Sequence, residues 1–567
     1  MIAAPQSPHD LAQATWTDIE PHYEYLASQP MGDVDDWLRA WSRFEEILSE
    51  AAGQAYVAYT CDTTDSEKEA AHLRFARDIG PRAQEQRVRL GRKLLATGNS
   101  APDLEMVLRR LRNQEELFRE ANVPIQGQLQ QLSSAWQKLT AGLSATWNGQ
   151  DVPLPALRIH EASPDREVRE RAFKLHLGAF AEKRDAIADI FDRQYALRQT
   201  VARNAGFASY RDYAHAEKNR FDYTPSDCER FHDAVEKTVV PAVDRIIARR
   251  RELMGLDHLR PWDAIDGMMG VADPLGRAPL KPFADVDALA ARAQAVFSGV
   301  SPDLGGYFEI MRREGLLDLD SRQGKAPGGY CTTFPFRKRP FIYMNATGTE
   351  SDVRTLLHES GHAFHSFEAQ AAQPLVFQRH PGSEMAEVAS MSMELLAAPY
   401  LGEEAGGFFS PEDERRSRAA HLEAIPLVLA HIASVDAFQH WIYTSGEGHD
   451  RDARDRRWLQ LRERFQPGVD WSGLDELRTA RWLAQPHFFT HPFYYIEYGI
   501  AQLGALQVWR NALEDQREAV AAYRRALAMG ATRPLPELFG AAGARLVFDA
   551  DGMGELVALV EEELAKS

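Results

Sequence analysis

The chain has 567 residues, of which 44% are hydrophobic and 26% are charged. These are ordinary values for a globular protein, and they exclude collagen-like, disordered and disulfide-scaffold classes. Asp and Glu outnumber Lys and Arg by 83 to 65, which gives a formal net charge of −18. Since such an acidic chain is repelled by phosphate backbones and anionic lipid surfaces, we expect neither a nucleic-acid nor a membrane partner.

The cysteines and the N-terminal residues bear on the cellular compartment. Cys61, Cys228 and Cys331 are widely spaced and form no CxxC pair, which is typical of a reducing environment. No basic segment followed by an apolar core opens the sequence, and no run of about 18 uncharged apolar residues predicts a membrane span. We therefore expect a cytoplasmic protein; the sequence leaves open whether it is a monomer or a homodimer.

Helical periodicity dominates the chain. Apolar residues recur at three- and four-residue steps over 33–50, 67–96, 102–121, 125–143, 165–202 and 225–254. Alternation typical of strands is confined to 330–334 and 340–345, around a turn at 335–339. A stretch rich in Gly and Pro at 146–155 is expected to end an N-terminal helical lobe, 1–150, so that 151–567 forms a second region. The fold class predicted is mostly α with one small β-sheet.

The sharpest chemical signal is His358-Glu359-Ser360-Gly361-His362. On a helix the two histidines lie one turn apart on one face, so both imidazoles can reach one metal ion. Zinc suits neutral imidazole nitrogens, and Glu359 can reach a water molecule beside the metal and act as general base. Thr349 and Asp352 resemble a capping box that starts this helix near residue 350. Gly361 in a helix interior costs about 1 kcal/mol relative to Ala, which predicts a close approach by substrate or by another element.

A third metal ligand must come from a second helix, because Glu368, six residues after His362, faces away on the same helix. The segment 383–394 is strongly helical, and Glu387 and Glu394 share one stripe with Glu384 nearby. We predict that Glu387 is the third ligand and that Glu394 orients a ligand histidine. His365 continues the ligand face, but it is expected to be a packed neighbour rather than a ligand.

These motifs together resemble a known family. The run Leu356-Leu-His-Glu-Ser-Gly-His-Ala-Phe-His365, with 24 residues between His362 and Glu387, is similar to the thimet oligopeptidase and oligoendopeptidase F family of zinc peptidases. Residues 485–502, hereafter the aromatic segment, resemble the oligoendopeptidase F branch especially closely. The resemblance implies a two-lobed helical clam with a deep central channel and one zinc ion on its floor, a geometry that admits short peptides.

The family pattern also suggests substrate contacts. On the aromatic segment it points to His487, Tyr495 and Tyr498 as donors to substrate and to the developing oxyanion, with Tyr494 and His491 as alternatives. The strand at 341–345 is expected to pair with an extended peptide.

The sequence therefore predicts a zinc endopeptidase that hydrolyses short oligopeptides. His358, His362 and Glu387 would hold the metal, and cobalt or manganese could replace zinc. Two alternatives stay open: a zinc carboxypeptidase on a similar helical scaffold, and a helical peptide-binding protein without catalytic activity.

Overall fold

The computed structural model describes residues 5–99, 101–263 and 273–567. The chain forms two compact units, each assembled from three separate stretches. The first unit contains Met1–Glu116, Lys281–Glu414 and Gly504–Leu546, and the second contains Leu117–Leu280, Arg415–Leu503 and Val547–Ser567. Both units are mostly helical, as predicted. The boundary near residue 150 stays a prediction.

The first unit carries the helices around the HExxH motif. Its helices are Trp16–Ser28, Val34–Cys61, Ser66–Leu73, Gly80–Leu95, Val286–Val300, Pro302–Arg313, Glu350–Ala372, Ser383–Leu396, Gln516–Ala528 and Leu535–Ala541. Its strands are Leu317–Asp320, Tyr330–Phe334 and Arg339–Ala346. The N-terminal helices bury aromatic side chains such as Tyr23 and Trp41, which form the centre of an apolar core.

The second unit contains the aromatic segment. Its helices are Val123–Ala141, Arg158–Glu161, Arg166–Glu182, Arg184–Asn204, Tyr210–Glu217, Pro225–Ala234, Val240–Leu253, Arg451–Phe465, Asp475–Leu483, Pro486–Thr490 and Ala550–Ala565. Three further helices include residues of both units: Glu105–Leu117, Pro411–Thr444 and Tyr495–Glu514.

Among the residues that the structure describes, one helix is long and apolar enough, by length and composition alone, to cross a membrane. It is Pro411–Thr444, and 83% of its most apolar 18-residue window is buried inside the protein. Burial of this kind is typical of a core helix, which needs the same apolar composition to pack against other helices.

The predicted helices are present, with differences at their ends and interiors. The helix expected at 165–202 is two helices that meet at Lys183. Those expected at 67–96 and 225–254 each contain a short π-helical segment, Arg74–Ile79 and Val235–Val239. Such segments shift the helical register without ending the helix, so apolar periodicity detects the whole run and misses the interruption.

The stretch 146–155 does interrupt the helices, between Val123–Ala141 and Arg158–Glu161, and most of it belongs to a second small sheet that was not predicted. Ser144–Trp147 pairs antiparallel with Gln150–Pro153. Asn148 and Gly149 form the turn, with φ of 51° and 82°. Two consecutive residues with positive φ are what a tight hairpin requires, and Asn-Gly is the strongest sequence signal for it. Gly and Pro content therefore indicated the interruption of the helices but not the hairpin.

The predicted strands form a three-stranded sheet that packs against the helix Glu350–Ala372. Arg339–Ala346 lies in the centre; it is parallel to Leu317–Asp320 on one side and antiparallel to Tyr330–Phe334 on the other. Leu317–Asp320 was not predicted, because four residues are too few to show alternation. A buried ammonium group, Lys325 Nζ, bonds to Asp318 Oδ1 at 3.0 Å and to the Met344 carbonyl at 2.6 Å, which ties the outer strand to the central one.

Candidate active site

The helix Glu350–Ala372, hereafter the histidine helix, begins at the predicted capping box. The Thr349 backbone N–H donates to Asp352 Oδ2 at 2.8 Å, and the Thr349 hydroxyl donates to the same oxygen at 2.9 Å. These bonds fix the first turn, where backbone groups otherwise lack partners. His358 and His362 follow one turn apart, with ring centroids 5.0 Å from each other.

The helix Ser383–Leu396, hereafter the glutamate helix, lies against the histidine helix at Gly361. A Cβ atom at position 361 would stand 2.5 Å from the Ala389 carbonyl oxygen and 2.6 Å from Ser390 Cα. No side chain fits in that space, which explains the glycine in a helix interior. The predicted close approach is therefore made by another element of the fold. Tyr523 braces the same point, since its hydroxyl donates to the Ala389 carbonyl at 2.8 Å.

This contact brings two histidines and one glutamate together. Glu387 Oε2 lies 3.4 Å from His358 Nε2 and 3.7 Å from His362 Nε2. One ligand atom from each of the three residues lies within 4.8 Å of the others. Glu384 and His365 are outside this group, although His365 is buried nearby.

Neighbouring side chains orient two members of the group. His358 Nδ1 and Glu394 Oε1 are 2.8 Å apart, so Nδ1–H donates to the carboxylate and Nε2 points towards Glu387. The Ser390 hydroxyl donates to Glu387 Oε2 at 3.0 Å. The predicted relation between Glu394 and a histidine of the motif is present. Ser390 gave no sequence signal, because a serine on a buried helix face usually bonds only to its own backbone.

Charge in the group is unevenly distributed. Burial lowers the pKa of His362 to about 4, which keeps this imidazole neutral. Burial also lowers the pKa of His358, but bonds to Glu387 and Glu394 outweigh it and hold the pKa well above the ordinary value. The two carboxylates that face the His358 imidazole therefore give the group an excess of negative charge, which favours a bound cation.

The donors fit a zinc ion. Two imidazole nitrogens and one carboxylate oxygen are the His₂Glu set found in catalytic zinc sites, where a fourth position stays open for water. A carboxylate that binds the far ring nitrogen of a ligand histidine, as Glu394 does with His358, is a regular companion of such sites.

Glu359 lies beside this group and is only 8% exposed. Burial raises the pKa of its carboxyl to about 7, and the charge of His358 and a hydrogen bond from the Cys331 backbone act against that rise. Cys331 belongs to the strand Tyr330–Phe334, so this strand contacts the predicted general base. The sequence gave no sign of this contact, since the two residues are paired only by packing of the sheet on the helix.

The strand 341–345 cannot pair with a peptide, contrary to our expectation. Its two neighbours already occupy both of its edges. The outer strand of the sheet beside Glu359 is Tyr330–Phe334, which pairs on one side only among the described residues. A two-strand pattern does not indicate which strand ends at an edge, and the unpredicted strand Leu317–Asp320 decides it here.

In the second unit, the predicted substrate residues cluster on the aromatic segment. The His487 ring lies 4.8 Å from the Tyr495 ring and 6.2 Å from the Tyr498 ring, centroid to centroid. Tyr494 lies 5.0 Å from Tyr498. Tyr495 is buried, and burial raises the pKa of its hydroxyl to about 12. Gln485 Nε2 donates to that hydroxyl at 2.7 Å, which leaves the tyrosine proton available as a donor.

His491 differs from His487 in its surroundings. It is exposed, whereas His487 is half-buried and its Nδ1 lies 3.2 Å from Gln485 Nε2. Both rings approach Tyr494, at 6.4 Å for His491 and 5.8 Å for His487. His487 rather than His491 therefore stays the predicted substrate contact. Its half-buried ring beside Tyr495 and Tyr498 favours this choice.

Two buried arginines hold the backbone of the aromatic segment. Arg198 donates to the Phe488 carbonyl at 2.8 Å and to the Phe489 carbonyl at 3.1 Å. Arg220 donates to the Phe493 carbonyl and pairs with Glu497 at 2.7 Å. Sequence reasoning missed both, because more than 270 residues separate each arginine from the residues that it contacts.

Comparison with known proteins identifies the family. The model of peptidase family M3 matches residues 159–269 and 307–556, more than half of the chain. The chain belongs to this family, and the resemblance found in the sequence is confirmed.

Individual relatives agree. The oligopeptidase PepF of Bacillus subtilis is 24% identical over 373 residues, which cover 64% of this chain and 51% of that protein. The plasmid oligoendopeptidase F of Lactococcus lactis subsp. cremoris is 22% identical over 63% of this chain and 57% of that protein. The chain thus matches only about half the length of these curated relatives.

Solved structures match over nearly the whole chain. A structure of Pz peptidase A with an inhibitor has a TM-score of 0.87 and 26% identity, and the match covers 100% of this chain and 98% of that one. A structure assigned to oligoendopeptidase F has a TM-score of 0.88 and 27% identity, with 98% and 97% covered. The predominantly helical fold is therefore that of these peptidases.

Proposed function

We propose that the protein is a zinc-dependent endopeptidase that hydrolyses short oligopeptides. One observation carries the proposal: His358, His362 and Glu387 converge from two helices with spacing and chemistry that suit one zinc ion. Membership of peptidase family M3 and relatives named oligopeptidase or oligoendopeptidase support the reaction class.

His358, His362 and Glu387 would hold the ion. Bound there, zinc would supply Lewis-acid chemistry, which lowers the pKa of water and polarises a carbonyl group. Glu394 keeps His358 in the tautomer whose Nε2 faces the site, and Ser390 keeps Glu387 Oε2 aimed at the two imidazoles.

Glu359 moves the proton. A pKa raised to about 7 by burial suits a carboxylate that takes a proton from the attacking water and returns it to the leaving amine. Donors aimed at the developing oxyanion supply the remaining stabilisation. We assign that role to Tyr495 and Tyr498, with His487 as a substrate contact.

The substrate is a peptide in extended conformation. The strand Tyr330–Phe334 lies beside Glu359, and its outer side can pair with a peptide backbone. Main-chain bonds of this kind depend little on side chains, so we expect broad sequence tolerance. The three cysteines are free thiols, which is consistent with the cytoplasmic location that we propose.

The substitution Glu359→Gln tests the mechanism. We expect this isosteric variant to bind zinc as the parent does and to lose about 10²–10⁴-fold in kcat. His358→Ala is the matched variant, which should lose both zinc at this site and activity. An active Glu359→Gln enzyme would contradict the mechanism.

A peptide blocked at both ends separates the alternatives. An endopeptidase cleaves an N-acetylated, C-amidated peptide, whereas a carboxypeptidase needs a free carboxylate. Mass spectrometry of the products, with and without chelator, distinguishes these two. Binding of the blocked peptide without cleavage would favour the non-catalytic peptide-binding protein.

A further inference from the structure

Gln485 is the first residue of the aromatic segment, and its amide contacts two side chains that we assign to substrate. Its Nε2 lies 2.7 Å from the Tyr495 hydroxyl oxygen and 3.2 Å from His487 Nδ1. The side chain is only 1% exposed, so solvent has almost no access to these contacts. An amide nitrogen carries two hydrogens and can only donate, so each of the two neighbours accepts one of them.

The orientation of the amide follows from its hydrogen bonds. Both N–H groups have an acceptor, whereas in the described part of the chain the Gln485 Oε1 atom has no hydrogen-bond partner. Buried N–H groups are left without an acceptor more rarely than buried oxygens are left without a donor. The orientation that satisfies both N–H groups is therefore the favoured one.

The hydrogen bond from Gln485 decides which nitrogen of His487 carries the proton. A neutral imidazole has one N–H and one lone pair, and they belong to different ring nitrogens. Because the lone pair of Nδ1 accepts from Gln485, the proton lies on Nε2. His487 therefore acts as a hydrogen-bond donor through Nε2.

The same amide sets the direction of the Tyr495 hydroxyl. A phenol group accepts through its oxygen and has a single hydrogen to donate. A hydroxyl that accepts from Gln485 keeps that hydrogen for another acceptor. Burial raises the pKa of Tyr495 to about 12, so the hydrogen is retained at neutral pH. Tyr495 is therefore a donor as well.

The backbone on both sides holds Gln485 in place. Its own N–H donates to the Trp482 carbonyl at 3.2 Å, in the last turn of the helix Asp475–Leu483. Pro486 follows, and a residue before proline is restricted to extended backbone, as Gln485 is with φ of −82° and ψ of 105°. The amide is thus fixed against its two acceptors by local geometry.

We propose that Gln485 is a positioning residue that makes both His487 and Tyr495 hydrogen-bond donors towards the substrate. This inference rests on the proposed function, in which the two side chains contact a peptide and its developing oxyanion. An oxyanion is stabilised by groups that donate. One neutral amide with two N–H groups orients two donors at once, whereas a carboxylate at this position would accept from both and reverse them.

The substitution Gln485→Glu tests the inference, because it keeps the shape of the side chain and reverses its role. The Tyr495 hydroxyl and His487 Nδ1 would both donate to the new carboxylate. On a peptide blocked at both ends, we expect kcat to fall about 10²–10³-fold with little change in KM. Gln485→Met, which removes the N–H groups without adding a charge, should lose less. A Gln485→Glu enzyme with the kcat of the parent would overturn the inference.

Two controls separate positioning from structural damage. Gln137→Glu makes the same chemical change at an exposed position of the same unit and should leave kcat unchanged. In a Tyr495→Phe background the hydroxyl is already absent, so Gln485→Glu should cost about tenfold less in kcat than it costs in the parent. Damage to the fold would lower kcat equally in both backgrounds, and equal losses would contradict the positioning role.

The proton of His487 gives a readout that needs no catalysis. Nitrogen-15 NMR at about pH 8.5, where an imidazole is neutral, shows which ring nitrogen carries the proton. We expect Nε2 in the parent and Nδ1 in Gln485→Glu, with His487→Asn to identify the resonance. A proton on Nδ1 in the parent would overturn the inference. A parent that cleaved no peptide would overturn the endopeptidase proposal instead, and the position of the proton would still show whether Gln485 orients His487.

Discussion

Gly361 of the histidine helix touches Ala389 of the glutamate helix so closely that an added Cβ would stand 2.5 Å from the Ala389 carbonyl oxygen. Gly361 stands between His358 and His362 in the sequence, and Ala389 follows Glu387 by two residues. The distance between the two helices at this point therefore sets whether the three side chains can share one ion.

The substitution Gly361→Ala separates local from tertiary effects. Helix propensity alone favours Ala by about 1 kcal/mol. Because the methyl group must push the helices apart, we expect the opposite sign, a loss of about 1–3 kcal/mol in the free energy of unfolding, together with weaker zinc binding. Denaturant unfolding and zinc titration measure both.

Gly178 provides the matched control. It lies inside the helix Arg166–Glu182, and a Cβ there would meet nothing within 4 Å. Gly178→Ala should stabilise the protein by about 0.5–1 kcal/mol. If Gly361→Ala stabilised it to the same degree, the close contact between the helices would be refuted.

Glu394 is predicted to act on zinc through His358. Replacement by Gln removes the charge that holds the Nδ1 proton, while the side chain keeps its size. We expect about 10–100-fold weaker zinc binding in Glu394→Gln. Competition with a chelator of known affinity measures it. The exposed Glu404→Gln on the same unit should change nothing, and equal affinities for the two variants would exclude the orienting role.

The tyrosine hydroxyls of the aromatic segment are predicted to act on the transition state. We expect Tyr495→Phe and Tyr498→Phe each to lower kcat by about 10²–10³-fold with little change in KM, since an oxyanion donor is most effective after attack. Steady-state kinetics on one blocked peptide measures kcat and KM separately. Tyr25→Phe, at a 58% exposed position, is the control. An unchanged kcat in both variants would show that the two tyrosines only pack in the fold and do not act on the transition state.

Asp318 should contribute stability that depends on pH. Burial alone would raise the pKa of its carboxyl, but hydrogen bonds from Arg322, Cys61 and Lys325 hold that pKa well below the ordinary value. A carboxyl with a lowered folded-state pKa stabilises the protein above the unfolded value of about 3.9, and this contribution is lost as pH falls towards the folded value.

The Asp318→Asn variant tests this contribution. Because Lys325 would keep a buried charge without its carboxylate, we expect a loss of about 3–5 kcal/mol at pH 7 and a flatter decline in acid. Denaturant unfolding across pH measures both. Asp320→Asn removes a half-exposed carboxylate on the same strand and should cost less than about 1 kcal/mol. If the free energy of unfolding fell equally steeply in acid for the parent and for Asp318→Asn, the lowered pKa of Asp318 would be contradicted.

Local patterns predicted the histidine helix in detail. Two of its features depend only on helix geometry and on residues close in sequence. They are the capping box of Thr349 and Asp352 and the four-residue spacing of His358 and His362. The sequence also predicted Glu387 as the third ligand, because its helix was recognisable and Glu387 shares one face of that helix with Glu394. The glycine at 361 announced a close contact but not its partner.

Other features needed the folded chain. Which strand lies at the edge depended on Leu317–Asp320, and the contact of Cys331 with Glu359 depended on how the sheet packs. Asn148-Gly149 could have indicated the small hairpin, had turn chemistry been weighed above glycine and proline content.

The sequence by itself predicted the helical class and the helix that carries the HExxH motif, because helix periodicity and the spacing of His358 and His362 act over a few residues. Only the tertiary structure decided what meets across long separations. It placed the Cys331 backbone against Glu359, and Arg198 and Arg220 on the backbone of the aromatic segment. Such contacts arise from the packing of whole helices and strands, and no local pattern of residue types encodes which surfaces will touch.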